Sequence, residues 1–423
     1  MKKTIKLAVV AALALGATSA FATNGSNLIG MGAKARGMGG VSIGTSHGAE
    51  SGIANAALIT SVKDTEISFG GTIFMPDVSN TNTIASRVPP ASSTESADSA
   101  ADMSVIPEVS IATKVTDNFY MGIGMWGTAG MGVDYRDSVE PQGAGSVVGT
   151  QMQMVTNVQI MQFGVPLAYT THGFSVAITP LLQYGSLDIN YAADTDRDGT
   201  IDHHGAGVAQ DLKFGYNLGL AYQVAGVTIG AIYKSQIDME YTGVLSKTVS
   251  PFTRTGYDND KLSTPAEYGI GVSYVIKGHT IALDYKQIKW SDAKGYQDFE
   301  WEDQTVMAIG YQYATKKWAA RLGYNYSKSP ISEQKVVNPA TDAPNSAGLQ
   351  PGAINTFNLL GFPGIVESHM TLGGSYSLSD KTSIDAAFVY APEVTETYKN
   401  HAAQDITTKH SQKSLSLGLT YQF

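Results

Sequence analysis

Apolar and polar side chains take turns along much of this chain. In the last ten residues, Leu415, Leu417, Leu419, Tyr421 and Phe423 alternate with Ser414, Ser416, Gly418, Thr420 and Gln422. A period of two means an extended strand with one greasy face and one polar face. The same rhythm recurs upstream. Leu212, Phe214, Tyr216, Leu218, Leu220 and Tyr222 alternate with Asp211, Lys213, Gly215, Asn217, Gly219 and Gln223. Val227, Ile229, Ala231, Tyr233, Ile237, Met239 and Tyr241 are expected to face one way, and Thr228, Gly230, Lys234, Gln236, Asp238 and Glu240 the other. In these segments the charges share a face with the glycines and never with the apolar set.

This reading gives fourteen strands, at 65–75, 104–114, 119–128, 151–170, 174–191, 208–223 and 227–244, then 263–275, 280–290, 304–314, 318–327, 369–378, 383–391 and 414–423. Their connections alternate in length. Val115-Thr116-Asp117-Asn118, Thr171-His172-Gly173, Ala225-Gly226, Lys277-Gly278, Lys316-Lys317 and Asp380-Lys381-Thr382 are tight turns, with longer segments between them, the longest at 328–368. A soluble sandwich has no reason to lengthen every second connection. Short periplasmic turns, long external loops and an even strand count are the layout of bacterial outer-membrane barrels. The predicted fold is therefore all-β, a fourteen-stranded antiparallel transmembrane β-barrel over residues 65–423.

Residues 23–64 fall outside the rhythm. They are rich in Gly and Ala, and their length suits either a tail or a plug in the lumen. Fourteen strands enclose more space than inward side chains fill.

Composition supports export to a membrane. Lys2, Lys3 and Lys6 form a basic start, residues 7–16 an apolar run, and Ala20-Phe21-Ala22 a signal-peptidase site, so residues 1–22 read as a signal peptide. The run is too short to span a bilayer, which takes about 20 apolar residues. Charged residues make up 15% of the chain, low beside the roughly 25% of a soluble protein. Tyr outnumbers Phe 22 to 13, as amphipathic rings at two interfaces require. Cysteine is absent, which excludes disulfides and thiolate chemistry. Losing the three leader lysines takes the formal charge from -9 to -12, an acidic balance that argues against nucleic acid.

Several blocks then carry a family resemblance. Gly32-Ala33-Lys34-Ala35-Arg36-Gly37-Met38-Gly39-Gly40, Gly48-Ala49-Glu50-Ser51 and Asn55-Ala56-Ala57-Leu58-Ile59 resemble the N-terminal hatch of FadL-type transporters, with Ala56 where that hatch usually has proline. Val105-Ile106-Pro107, Gly130-Met131-Gly132-Val133-Asp134-Tyr135, Gly230-Ala231-Ile232-Tyr233-Lys234-Ser235, Leu262-Ser263-Thr264-Pro265-Ala266 and Lys317-Trp318-Ala319-Ala320-Arg321-Leu322-Gly323 are similar to its strands, in order across the mature chain. The resemblance implies a hatch inside the barrel over residues 23–64, in which Gly37, Gly39, Gly40 and Asn55 would be key positions. It also implies an external apolar groove, an inner pocket, and a lateral opening at an inward kink of the third strand. Passive uptake of long-chain fatty acids or hydrocarbons, including monoaromatics, across a Gram-negative outer membrane would follow. So would assembly guided by the terminal Phe423 strand, contact with outer-membrane lipid and a monomeric state.

Candidate sites follow, each with a plainer alternative. Gly122, Gly124 and Gly127 around Met125 could mark the kink, or simply small inward residues. Methionines 121, 125, 131, 152, 154 and 161 could adapt to ligands, or face lipid. Leu360 and Phe362, in the apolar run 358–366, could wall the external groove, or pack against another loop. Lys234 and Arg321 on the lumen face could meet a carboxylate, or belong to ion pairs tying hatch to wall.

Asp194, Asp196, Asp198, Thr200 and Asp202, around Gly199, have the spacing of a Ca²⁺ loop without its final glutamate, since Gly205 takes that place. Ca²⁺ in the external loop after strand five is expected on that basis, against a solvated acidic loop. No nucleophile, His and Asp stand at recognisable spacing, so no enzyme is read here. The competing functions are a general porin and a surface adhesin or receptor barrel.

Overall fold

The computed structural model describes residues 23–85, 92–142, 148–195, 198–253 and 256–423; the expected signal peptide lies outside them. Fourteen antiparallel strands form the wall. They are β1 (Thr65–Ala85), β2 (Ser104–Lys114), β3 (Phe119–Asp134), β4 (Val155–Gly164, resuming as Leu167–Thr171), β5 (Phe174–Ala193), β6 (Ala209–Val224) and β7 (Val227–Lys234). The second half comprises β8 (Glu267–Ile276), β9 (His279–Ile288), β10 (Gln304–Ala314), β11 (Trp318–Ser327), β12 (Ser368–Ser377), β13 (Thr382–Lys399) and β14 (Asp405–Gln422). Each strand bonds to the next, and β14 pairs back onto β1 from Ile406↔Asn82 to Gln422↔Glu66, which closes the cylinder.

The alternation becomes an outside and an inside. Phe69, Leu218, Ile270, Leu283, Leu372 and Leu417 are exposed on the outer face, where lipid covers them. Rings mark both ends of this belt. Tyr216, Tyr233, Tyr268, Tyr285, Tyr326 and Tyr390 lie toward the long loops; Tyr222, Tyr274, Trp318, Tyr376, Tyr421 and Phe423 lie toward the short turns. The tight turns are as predicted. His172-Gly173, Ala225-Gly226 and Lys277-Gly278 have positive φ at both residues (50° and 80°, 50° and 82°, 49° and 85°), the handedness that a two-residue hairpin needs.

Three expectations about the strands change. The first, thirteenth and fourteenth run well beyond their predicted limits, and rise above the aromatic ring as an external sheet joined by Ser92–Asp98. Strand four is interrupted at Val165-Pro166, because proline has no N–H to give the ladder. Strand seven stops at Lys234. Beyond it Ile237, Met239 and Tyr241 turn into the lumen and are buried, while Glu240 is exposed and Asp238 pairs with Lys294, the reverse of the predicted facing. Continuous alternation hid this turn, since a strand leaving the wall keeps its period.

Residues 23–64 fill the periplasmic half of the lumen. Two short helices, α1 (Gly32–Arg36) and α2 (Ser51–Ala54), and the 3₁₀ turn Ala56–Ser61 carry most of this hatch. Its backbone comes so near the wall that inward residues there must be glycine. A Cβ at Gly323 would stand 2.0 Å from the Gly39 nitrogen, and one at Gly230 1.9 Å from the Ile43 oxygen. Gly37 meets Gly373 in the same way, at 2.8 Å. Wall carboxylates then bind the hatch amides. Asp284 accepts from the N–H of Ser42 (2.6 Å) and Ile43 (2.8 Å), Glu66 from Ala49 (2.8 Å), and Glu108 from Gly32 (2.8 Å). Asn55 donates to the Ile43 and Leu220 carbonyls at 2.8 and 3.0 Å.

Gly323→Val should leave the barrel closed, since valine suits a strand, and push the hatch away from β11. The expected outcome is a heat-modifiable barrel on gels with faster proteolysis within residues 23–64 and a raised single-channel conductance.

Candidate functional site

The β2–β3 ladder ends part-way along β3. From Lys114↔Tyr120 to Glu108↔Trp126 the two strands pair; beyond Trp126 no β2–β3 ladder continues among the described residues. The opposite edge of β3 slips against β4 between Gly127/Met161 and Ala129/Ile160, a one-residue bulge that bends the strand inward. The hatch takes up the freed edge. Asn27 pairs with Ala129, and the Gly130 N–H donates to the Ser26 carbonyl at 3.0 Å. A strand of the plug thus stands where a strand of the wall would otherwise be.

The glycines of β3 each clear a neighbour. A Cβ at Gly124 would fall 1.9 Å from the Trp126 ring, and one at Gly127 2.5 Å from the Ile106 side chain. One at Gly122 would meet the Ile111 carbonyl at 2.4 Å. Trp126 is buried, donates Nε1–H to the Ser110 hydroxyl at 2.8 Å, and packs on Ile53 of the hatch and Leu181. Met125 has the opposite parity and is half-buried. Small inward residues and a kink were offered as alternatives; the strand bulges after Gly127, and Gly124 leaves the room that the inward indole takes.

Inside and above this window the lumen holds one large apolar cluster, with Met154, Tyr241, Trp290, Trp301, Phe357 and Leu360 among its members. Trp290, Tyr296 and Trp301 lie ring against ring, with centroids 4.6 to 5.1 Å apart. Met131, Met152 and Met154 belong to the cluster, whereas Met121 faces outward. Leu360 and Phe362 are 0% and 7% exposed, so they line the interior and not an open external groove. Against the hatch the cluster gives way to a cavity of about 40 Å³ bounded by Ile29, Ile43, Lys234, Glu267, Asp284 and Lys286.

Lys234, Lys286 and Arg321 are already engaged. Lys234 and Lys286 share the Glu267 carboxylate at 3.3 and 3.4 Å, and Glu267 also accepts from Asn27 Nδ2 of the hatch at 2.8 Å. Arg321 donates to Gln312 at 2.7 Å and to the Ser375 hydroxyl at 2.6 Å, with Asp385 at 4.0 Å. In the hatch, Lys34 reaches Glu50 at 3.7 Å and Asp385 at 3.9 Å. Burial opposes its charge, yet the two carboxylates outweigh burial and hold its pKa above the usual lysine value. Burial pushes the His47 imidazole down to about 4, so it is neutral and donates Nε2–H to the Val41 carbonyl at 2.7 Å. The network reading of these charges fits the geometry; a free cation awaiting a carboxylate at Lys234 or Arg321 does not.

The acidic loop behaves as a turn. The Gly199 N–H donates to Asp194 at 3.2 Å and the Thr200 N–H to Asp198 at 2.7 Å, while Asp202 opens a short strand paired with the end of β5. Asp196 lies outside the described residues, and among those described no three metal-ligating side chains converge.

Residues 7–345 match the model of a protein family described as outer membrane protein transport protein (OMPP1/FadL/TodX). The chain belongs to this family. Solved structures agree on the fold. The Pseudomonas putida toluene transporter TodX is 16% identical with a TM-score of 0.68, over 94% of this chain and 99% of that one. A Pseudomonas aeruginosa FadL homologue is 14% identical with a TM-score of 0.66, over 94% and 100%. The Ralstonia pickettii toluene transporter TbuX is 16% identical with a TM-score of 0.63, over 94% and 99%. No curated protein matches the sequence. As a FadL/TodX-family member the chain is an outer-membrane transport protein.

Reading the sequence places Asp284 on the lumen face, among charges that tie hatch to wall, but misses the shared role of Glu267 and the aromatic group of Trp290, Tyr296 and Trp301. A signal for Glu267 was present, since it shares a face with Gly269 and Gly271.

Two outcomes follow. Glu267→Gln leaves two partly buried lysines sharing no carboxylate and should destabilise the protein by at most ~1–3 kcal/mol, more than Lys234→Met, in thermal loss of the heat-modifiable band. Gly124→Leu should drive Trp126 out of its niche and shift tryptophan emission to the red, with the barrel intact.

Proposed function

We propose that the protein carries hydrophobic compounds passively across the outer membrane, from the apolar cluster through the β2–β3 window into the bilayer. The observation that carries this reading is where the wall loses its ladder. The large apolar cluster of the lumen reaches Ala129, Met131 and Ile160 on β3 and β4, and beyond Trp126 on the same β3 no β2–β3 ladder continues among the described residues. An uncharged or weakly polar molecule following that route avoids water on leaving, so its burial in lipid drives release. A general porin needs a wet, open lumen; here hatch and cluster fill it. An adhesin barrel has no use for a wall window. The TodX and TbuX structures are named as toluene transporters, which favours hydrocarbons among the cargoes, while FadL-type membership keeps fatty acids in the set.

The hatch strand Ser26-Asn27-Leu28 acts as the sash of this window, because the bonds it makes to Ala129 and Gly130 are what β2 forgoes.

Cells with the protein as their sole route for such compounds should take up labelled palmitate or toluene several-fold faster than cells without it. In planar bilayers the purified protein should show little steady current. Equal uptake with and without the protein, or large porin-like steps, would refute the reading.

A further inference from the structure

The outside of the cylinder carries a hollow of its own. On the lipid side of β7 to β11 a groove of about 880 Å³ crosses the strands, lined by Ile229, Ile270, Val272, Leu283, Met307 and Ile309. Register sets its course. Ile270, Tyr285, Met307 and Tyr326 stand side by side in one row; Ile229, Val272, Leu283, Ile309 and Tyr324 form the next. Gly271, Asp284 and Ala308 also line it. The side chains of Asp284 and Ala308 are buried on the inner face, so the floor of the groove is backbone. Its volume falls in the range of small-molecule sites, about 300–1,000 Å³.

The long-loop end of the groove has a polar rim. The Tyr268 hydroxyl donates to Gln287 Oε1 at 2.8 Å, and Gln287 Nε2 donates to the hydroxyls of Tyr285 at 3.2 Å and Thr305 at 3.3 Å. The Tyr324 and Ser368 hydroxyls lie 2.9 Å apart. Rings with polar tips mark the height at which lipid chains give way to head groups. Two lysines stand just beyond. Lys289 follows Gln287 by two residues and is held by Asp303, whereas Lys328 follows Tyr326 by two and is exposed.

We infer that the groove binds the acyl chains of one outer-leaflet lipid, a phosphorylated glycolipid of the lipid A class. Its sugar and ester oxygens meet Tyr268, Gln287 and Thr305, and a phosphate meets Lys328. A chain on a convex wall touches it along one side; a chain in a groove touches floor and flanks, and the dispersion contacts add up. The leaflet follows from topology. The rim lies toward the long loops, which face the cell exterior in bacterial barrels, and that leaflet of a Gram-negative outer membrane is built of phosphorylated glycolipid. The head group follows from the rim. Amides and hydroxyls match sugar and ester oxygens, and an exposed ammonium attracts a phosphate but repels the ammonium of phosphatidylethanolamine. The site uses strands other than β2 and β3, so a resident lipid does not compete with cargo at the window, and the inference stands apart from the transport reading.

The full protein in detergent, mixed with equal amounts of lipid A and phosphatidylethanolamine, is read by native mass spectrometry. One lipid A should stay on each barrel, preferred about tenfold over phosphatidylethanolamine. Val272→Trp with Ile309→Trp fills the groove and should abolish retention, whereas Leu372→Trp on β12 should keep it. All three positions are exposed on the outer face, so heat-modifiability on gels should show closed barrels. Should the pair fail to close, Ile309→Trp alone carries the test. Lys328→Glu with Gln287→Leu should bring the two lipids to parity. Retention unchanged by the groove-filling pair would overturn the site. A stable dimer that the same pair breaks apart would overturn it too, by giving the groove to a second copy of the chain. Equal retention of both lipids by the wild type would overturn the head-group assignment.

Discussion

A backbone that crosses lipid must bond to itself, since the bilayer core offers no water to N–H or C=O groups. Everything else in this protein is arranged around that requirement. The ladder from β14 back to β1 removes the free edges, and alternation then gives every strand an oily side for the membrane and a second side for the lumen. Beyond Trp126, where the β2–β3 ladder ends among the described residues, another piece of the same chain supplies hydrogen bonds. An unpaired strand edge at that height would be costly, so the hatch strand both closes the window and makes it tolerable.

The same economy explains the glycines. A wide barrel leaves a gap between wall and plug unless backbones approach one another closely, and only residues without a Cβ permit it. Gly230, Gly323 and Gly373 let the hatch backbone seat directly on the strands, and Asp284, Glu66 and Glu108 then accept its amide protons. The lower lumen is consequently polar and firmly bonded, the upper lumen apolar.

Most of the barrel was legible in the residues. Alternation, tight Gly-bearing turns and a long-short rhythm of connections gave fourteen strands and the closed antiparallel fold, because each of these is a local property. The kink was legible as a run of glycines in one strand, though the bulge between Gly127 and Ala129 and the hatch strand beside it were not. Lys234 and Arg321 could be read either as binding cations or as ion-pair members, because their carboxylates, Glu267 and Asp385, lie on other strands. Ile237, Met239 and Tyr241 looked like lipid-facing residues, because a departing strand and a continuing one have the same period.

The sequence by itself determined which faces of the strands could meet lipid and where the chain had to turn, for those depend on neighbours within a few residues. Only the tertiary structure decided what fills the lumen. Partners such as Asn27 and Ala129, or Leu359 and Thr408, are far apart in the chain and come together only once the cylinder has closed. Their pairing is set by the shape of the enclosed space, which no local pattern records.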